Sequence, residues 1–287
     1  MHSFQNIIMT LQSFWAEKGC ALVQPYDLEM GAGTSHPFTA LYTLGPRPWR
    51  AAFVQTCRRP GDGRYGENPN RLQKFYQFQV IIKPSPDHIQ EWLLESYAAL
   101  GLNLSDHDIR FVEDDWENPS LGASGLGWEV WLDGMEITQF TYFQQMGGIE
   151  CDVVSSELAY GLERIALCLQ KKENIFELEW TPQKGEAPSV TYDQLSLWGE
   201  QQFCTWYFEE APIEGIKRHF EDALSWGKSL IEKKLTLPAY DHCVKANHLF
   251  NMLDARGAVS VSQRAETIAR IRKLASECCH QWMEYYA

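Results

Sequence analysis

The chain has 287 residues, 45% of them apolar, with 25 basic against 38 acidic side chains and a formal net charge of −13. That composition can bury a sizeable core, which excludes a disordered chain or a disulfide-dependent miniature fold. No apolar run approaches the roughly 20 residues of a membrane span, and the acidic balance argues against tight unaided binding to a polyanion.

The amino terminus reads as a helix start and not as a cleavable leader, so the expected compartment is the cytoplasm. The 8 cysteines form no CxxC pair and no zinc-like spacing with histidine, which fits reduced core thiols. Phe4, Ile7, Ile8, Leu11, Phe14 and Trp15 stand at helical spacing over 4–18, with Gly19 placed to end the helix. GCALVQP (19–25) predicts a short strand stopped by proline, and the small residues of MGAGTSHP (30–37) let backbone approach a ligand. A strand through Ala51, Phe53 and Val54 leads into a Gly- and Pro-rich loop over 60–70. A second strand from Arg71 to Ile82 turns Leu72, Tyr76, Phe78, Val80 and Ile82 to one side and Arg71, Gln73, Phe75, Gln77 and Gln79 to the other.

A helix is expected over 87–100, then a hairpin centred on Asp133-Gly134 that pairs Trp131 with Glu136, Val130 with Ile137 and Glu129 with Thr138. Leu158, Leu162, Ile165, Ala166 and Leu169 predict a helix running from Ser155. The polar, Pro-containing run 181–191 marks a domain boundary, dividing a domain over 1–180 from a helical one over 193–287. Helices are expected over 195–209, 213–233, 239–254 and 263–286, with Ser260 and Gln263 as a capping box. Hairpin-paired strands flanked by helices give an α+β fold with an antiparallel sheet.

Chemistry concentrates in RRPGDGRYGENPNRLQKFYQFQVIIK, where Arg58, Arg59, Arg64, Arg71, Lys74 and Lys83 face only Asp62 and Glu67 as acidic residues. Guanidinium groups bind phosphate oxygens in pairs, and Phe75 on the arginine-bearing face offers a stacking surface for a base. The bland alternative is a solvated hairpin tip. There is no P-loop and no strand-linked GxGxxG, so a nucleotide site here is of another kind.

At these residues the sequence resembles class II aminoacyl-tRNA synthetases, and within them the glycyl-tRNA synthetase alpha subunit family. MGAGTSHP, RRPGDGRYGENPNRLQKFYQFQV, IRFVEDDWENPSLGASGLGWEVWLDGMEITQFTYFQQ, YGLERIAL and LDARGAVSVSQR carry the resemblance across essentially the whole chain. It implies an ATP-dependent glycine-tRNA ligase that forms glycyl-adenylate and passes glycine to the 3′ end of tRNA(Gly). The first helix, Gly19 and Pro25 then correspond to a dimer-forming motif, Arg58 or its neighbour Arg59 to the α-phosphate arginine, Arg71 to a γ-phosphate contact, and Phe75 and Arg164 to the two faces around adenine. Pro60 stands where the family pattern has an acid, and Glu157 and Ala159 where it has small residues.

A carboxylate at Glu157 suits the glycine ammonium, with Thr34, Ser35, Gln77, Gln79 and Trp116 as further glycine-pocket candidates and Glu129 and Glu150 as Mg²⁺ ligands. The implied assembly pairs an alpha homodimer with a larger beta subunit as α2β2. Two readings stay open beside it: an adenylating enzyme with an acceptor other than tRNA, and a non-catalytic nucleotide-sensing assembly subunit.

Overall fold

A computed structural model describes residues 2–286. Helix α1 (Phe4–Glu17) buries Phe4, Ile7, Leu11 and Trp15 along one stripe and ends at Gly19, whose φ of +85 is the left-handed turn that glycine adopts without strain. The chain continues through β1 (Ala21–Leu22), a 3₁₀ turn at Gly33–Ser35, α2 (Pro37–Ala40), β2 (Trp49–Arg58), β3 (Lys74–Lys83), α3 (Ile89–Ala99), β4 (Ile109–Asn118), β5 (Ala123–Leu132), β6 (Met135–Met146), β7 (Ile149–Glu150), β8 (Ser156–Gly161) and α4 (Leu162–Gln170). An 8-stranded sheet follows the order β1-β2-β3-β8-β6-β5-β4, with β7 folded back on β6, and every pair except β1 with β2 is antiparallel. The α+β architecture is the one expected.

Three local expectations differ. Residues 156–161 form a strand, not the start of a helix, because Leu158 and Tyr160 face one core while Glu157, Ala159 and Gly161 face the opposite side. Leu158 and Leu162 are four residues apart, a spacing that a strand followed by a helix satisfies as well as one helix does. The β3 strand begins at Lys74, so Arg71 stands in the turn before it. In the β5–β6 hairpin Trp131 pairs with Glu136 as expected, but a bulge then slips the register so that Val130 meets Thr138 and Glu129 meets Gln139.

One face of the sheet, through Phe78, Val80, Ile82, Leu158, Tyr160 and Phe140, packs on α1, α3 and α4. After a small hairpin of β9 (Glu179–Thr181) and β10 (Val190–Thr191) come α5 (Tyr192–Thr205), a π-helical turn (Trp206–Glu210), α6 (Ile213–Glu232), α7 (Thr236–Ala255) and α8 (Val261–Tyr285), the last capped by the expected Ser260–Gln263 box. Phe220, Tyr240, Cys243 and Trp282 from these helices share a core with Ala51, Ile81 and Phe143 of the sheet's other face. That second face is thus apolar beneath the helices and polar beside them, and the polar part is the floor of a cleft.

Candidate active site

The cleft has a volume of about 390 Å³. It is floored by β3, β8 and β6 and roofed by the segment joining β2 to β3. Of the candidates read from sequence, Thr34, Arg59, Arg71, Phe75, Gln77, Trp116, Glu157 and Arg164 line it.

Arg58 does not. Cys57 pairs with Phe75 and Arg58 with Lys74, so strand alternation puts Arg58 on the face away from Phe75. There its guanidinium lies 4.4 Å from the Phe203 ring centroid and donates to the Tyr207 hydroxyl at 3.3 Å. Arg59 occupies the cleft instead, 4.9 Å over the Phe75 ring and anchored by Nε donating to the Gly31 carbonyl at 2.9 Å. Arg71 stands 3.8 Å from Asp62, half exposed. Lys83 is no part of this basic surface: it is buried, and its Nζ donates to the carbonyls of Tyr42, Leu44 and Gly45.

At the floor, Glu157 accepts from Thr34 Oγ1 at 2.7 Å and from the Gln79 amide. Burial pushes its carboxyl up to about 7 against the opposing pull of those two donors. Gln79 is fully buried beneath the lining rather than in it, and a Cβ at Gly33 would come within 2.6 Å of its Oε1, so any side chain there would have to displace the Gln79 amide. The Gly33 N–H donates to Gln77 Oε1 at 2.9 Å. Ser35 borders a neighbouring opening rather than this cleft, and its carbonyl accepts from the Tyr240 hydroxyl. Trp116 reaches the cleft from the edge strand β4, edge-on to Phe143 at 5.6 Å.

Across the cleft, Arg164 Nη1 donates to both the backbone carbonyl and the carboxylate of Glu136 at 2.9 Å. Its neighbour Glu163, an exposed partner if read from helix spacing alone, is buried. It accepts from the Tyr76 N–H at 2.8 Å and the Tyr192 hydroxyl at 2.7 Å, and burial pushes its carboxyl up to about 7. Sequence reasoning missed Glu136 and Glu163, since only the packing of α4 on β3 and α5 draws them in.

The two metal candidates lie outside the lining. Glu129 faces the same side of the sheet one strand out, beside Gln139, and accepts from Trp131 Nε1 at 2.9 Å, while Glu150 is exposed on β7. Within the lining, Glu136 is paired with Arg164 and Asp62 stands near Arg71. This is a polar trough lined by Arg59 over the Phe75 ring, Arg71 beside Asp62 and Arg164 beside Glu136, with a buried carboxylate at its floor.

A family model described as "Glycyl-tRNA synthetase alpha subunit" matches residues 4–286. The glycine--tRNA ligase alpha subunits of Rickettsia bellii strains OSU 85-389 and RML369-C are each 54% identical over 282 residues, covering 98% of this chain and 97% of the relative. Among solved structures, the pyrrolysyl tRNA synthetase PylSc of Desulfitobacterium hafniense aligns over 65% of this chain and 73% of its own, with a TM-score of 0.43 and 12% identity. A second structure of pyrrolysyl-tRNA synthetase from the same organism gives 0.42 and 13%.

Proposed function

The chain belongs to the glycyl-tRNA synthetase alpha subunit family, and from that premise we propose how its cleft carries out the reaction. The activity is that of an ATP-dependent glycine-tRNA ligase: glycine and ATP form glycyl-adenylate and pyrophosphate, and the glycyl group passes to the 3′ end of tRNA(Gly). The observation that carries this reading is the convergence of Arg59, Arg71, Phe75 and Arg164 over a floor that holds the buried carboxylate of Glu157.

In this reading adenine displaces the Arg59 guanidinium from the Phe75 ring and lies between that ring and the Arg164 guanidinium, a flat aromatic face on one side and a cation over its π-surface on the other. Arg59 takes the α-phosphate and Arg71 the γ-phosphate. Glu157 faces the glycine ammonium, while Thr34 and Gln79 hold its carboxylate still. Glycine is the one amino acid that steric exclusion alone can select, because every competitor adds atoms at the α-carbon. The glycine carboxylate, already ionised at neutral pH, attacks the α-phosphorus in line as the bond to pyrophosphate breaks. No general base is needed, so the protein's part is alignment and charge stabilisation.

Magnesium binds through one or two carboxylates together with substrate phosphates, and hard oxygen donors are present here in Glu136 and Asp62. These residues fit Mg²⁺ carried in with ATP better than Glu129 and Glu150 do, and the ion would neutralise triphosphate charge.

The subunit name implies a heteromeric partner, and we assign the partner the larger share of tRNA contacts, in an α2β2 assembly built on an alpha homodimer. A net charge of −13 leaves this chain poorly suited to hold tRNA alone. No helix among the described residues is long and apolar enough to cross a membrane, and we place the chain with translation in the cytoplasm.

The test is glycine-dependent ATP–pyrophosphate exchange by the purified chain, alone and with the beta subunit, with alanine and serine as controls. Exchange with glycine only is expected. Silence with and without beta overturns the catalytic reading.

A further inference from the structure

The segment between β2 and β3 carries Arg59 at its start and Arg71 near its end, and its glycines at 61, 63 and 66 give it little rigidity of its own. Its two ends are tied by the Arg59 N–H donating to the Gln73 carbonyl at 2.7 Å, the Pro69 carbonyl accepts from the Ile175 N–H at 2.9 Å, and its middle is held by one face of α5. Glu200 on that helix is 2% exposed, and its carboxylate accepts the Arg64 N–H at 3.2 Å and the Gln73 N–H at 3.0 Å. Leu197 and Cys204, on the same helical face, press on the segment so closely that a Cβ at Gly66 or Gly63 would come within 2.4 or 2.5 Å of them. Cys204 Sγ also accepts the Tyr65 N–H at 3.3 Å. At its first residue the same helix holds Glu163, next to Arg164, through the Tyr192 hydroxyl.

We propose that Glu200 is a positioning residue for adenylation: by pinning two backbone N–H groups of the segment it sets where Arg59 and Arg71 stand over the cleft. One buried carboxylate, its pKa raised by that burial, bridges the segment's middle and its end, whereas the hydrogen bonds within the segment tie its start to its end or close local turns. Removing it leaves two backbone donors without their partner, and the arginines lose their fixed height above the triphosphate. The inference rests on the reading of the cleft as the ATP site.

The experiment measures KM for ATP, KM for glycine and kcat in the exchange reaction for wild type, Glu200→Ala and Glu200→Gln, with beta present, alongside thermal unfolding and timed trypsin cleavage at Arg64. Glu200→Ala is expected to raise KM for ATP about tenfold, the loss of one or two charge-assisted hydrogen bonds, with KM for glycine within about twofold of wild type. Glu200→Gln keeps one oxygen acceptor and recovers part of the effect, and cleavage at Arg64 quickens in both variants. An unchanged KM for ATP, or an equal rise in both KM values, overturns the proposal. If Glu200→Ala does not fold, Glu200→Gln decides: unchanged cleavage and unchanged KM for ATP overturn it. An active wild type with unaltered variants refutes the role of Glu200 alone, whereas a wild type silent in exchange refutes the reading of the cleft and this proposal with it.

Discussion

Two adjacent arginines separate the surface chemistry from the structural role of this chain. Arg58 and Arg59 are identical in type and one residue apart, yet strand parity sends the first to Phe203 and Tyr207 and the second to Phe75. Arg59→Ala is therefore expected to cost glycine-dependent exchange roughly 100-fold, the scale of removing one group that stabilises transition-state charge. Arg58→Ala is expected to act mainly on stability, and comparing exchange rate with melting temperature in the two variants checks this.

Glu157 gives a second prediction at the same scale. Burial pushes its carboxyl from 4.5 up to about 7, so the neutral acid predominates only below that pH and the carboxylate above it. A group with a raised folded pKa contributes stability that is full at low pH and is lost as pH climbs through about 7. Glu157→Gln should thus be more stable than wild type at pH 8, by on the order of 2 kcal/mol, in thermal unfolding without glycine. Binding of the ammonium runs the other way, because it needs the carboxylate. KM for glycine should fall as pH rises from about 6 to 8 in wild type, a slope governed by that same group. The slope should flatten, at a higher KM, in Glu157→Gln.

Among the elements, the β5–β6 pair shows how glycine placement shapes the sheet. A Cβ at Gly127 would sit 2.0 Å from the Phe140 carbonyl oxygen, a contact no rotamer relieves because both atoms belong to the sheet frame. Gly127→Ala is expected to cost several kcal/mol, read as loss of soluble folded protein or a sharply lowered melting temperature, roughly the scale of core overpacking. Ser260→Ala at the start of α8 should cost about 1 kcal/mol, since it removes the cap that accepts the Gln263 N–H while leaving the helix's buried stripe of Ile271, Leu274 and Cys278 intact.

The capping box, α1 with Gly19 and the four carboxy-terminal helices were legible because each is a local pattern of apolar spacing and end signals. The strand at 156–161 was not, because its two-sided burial between β3 and β6 is a property of its neighbours.

At the scale of the whole molecule, the helices after residue 193 complete a core instead of merely following the sheet: Ala51, Ile81 and Phe143 are buried against residues of α6, α7 and α8. A fragment ending in the 181–191 run leaves that apolar face open to water. We expect it to be insoluble or to lack a cooperative transition, whereas the full chain unfolds in one step; calorimetry of both decides.

The sequence by itself determined the composition class, most of the helices, the hairpin turn at Asp133-Gly134 and the cluster of arginines with Phe75 that drew attention to the cleft, since each is written in neighbouring residues. Tertiary structure alone decided that Arg59 and not Arg58 enters the cleft, that Glu163 is buried and that α5 holds the arginine-bearing segment. The physical reason is the same in each case. Across the long connection from Arg59 to Gln73 no turn geometry fixes which strand residues pair, and whether a carboxylate is buried depends on elements far away in sequence that pack upon it.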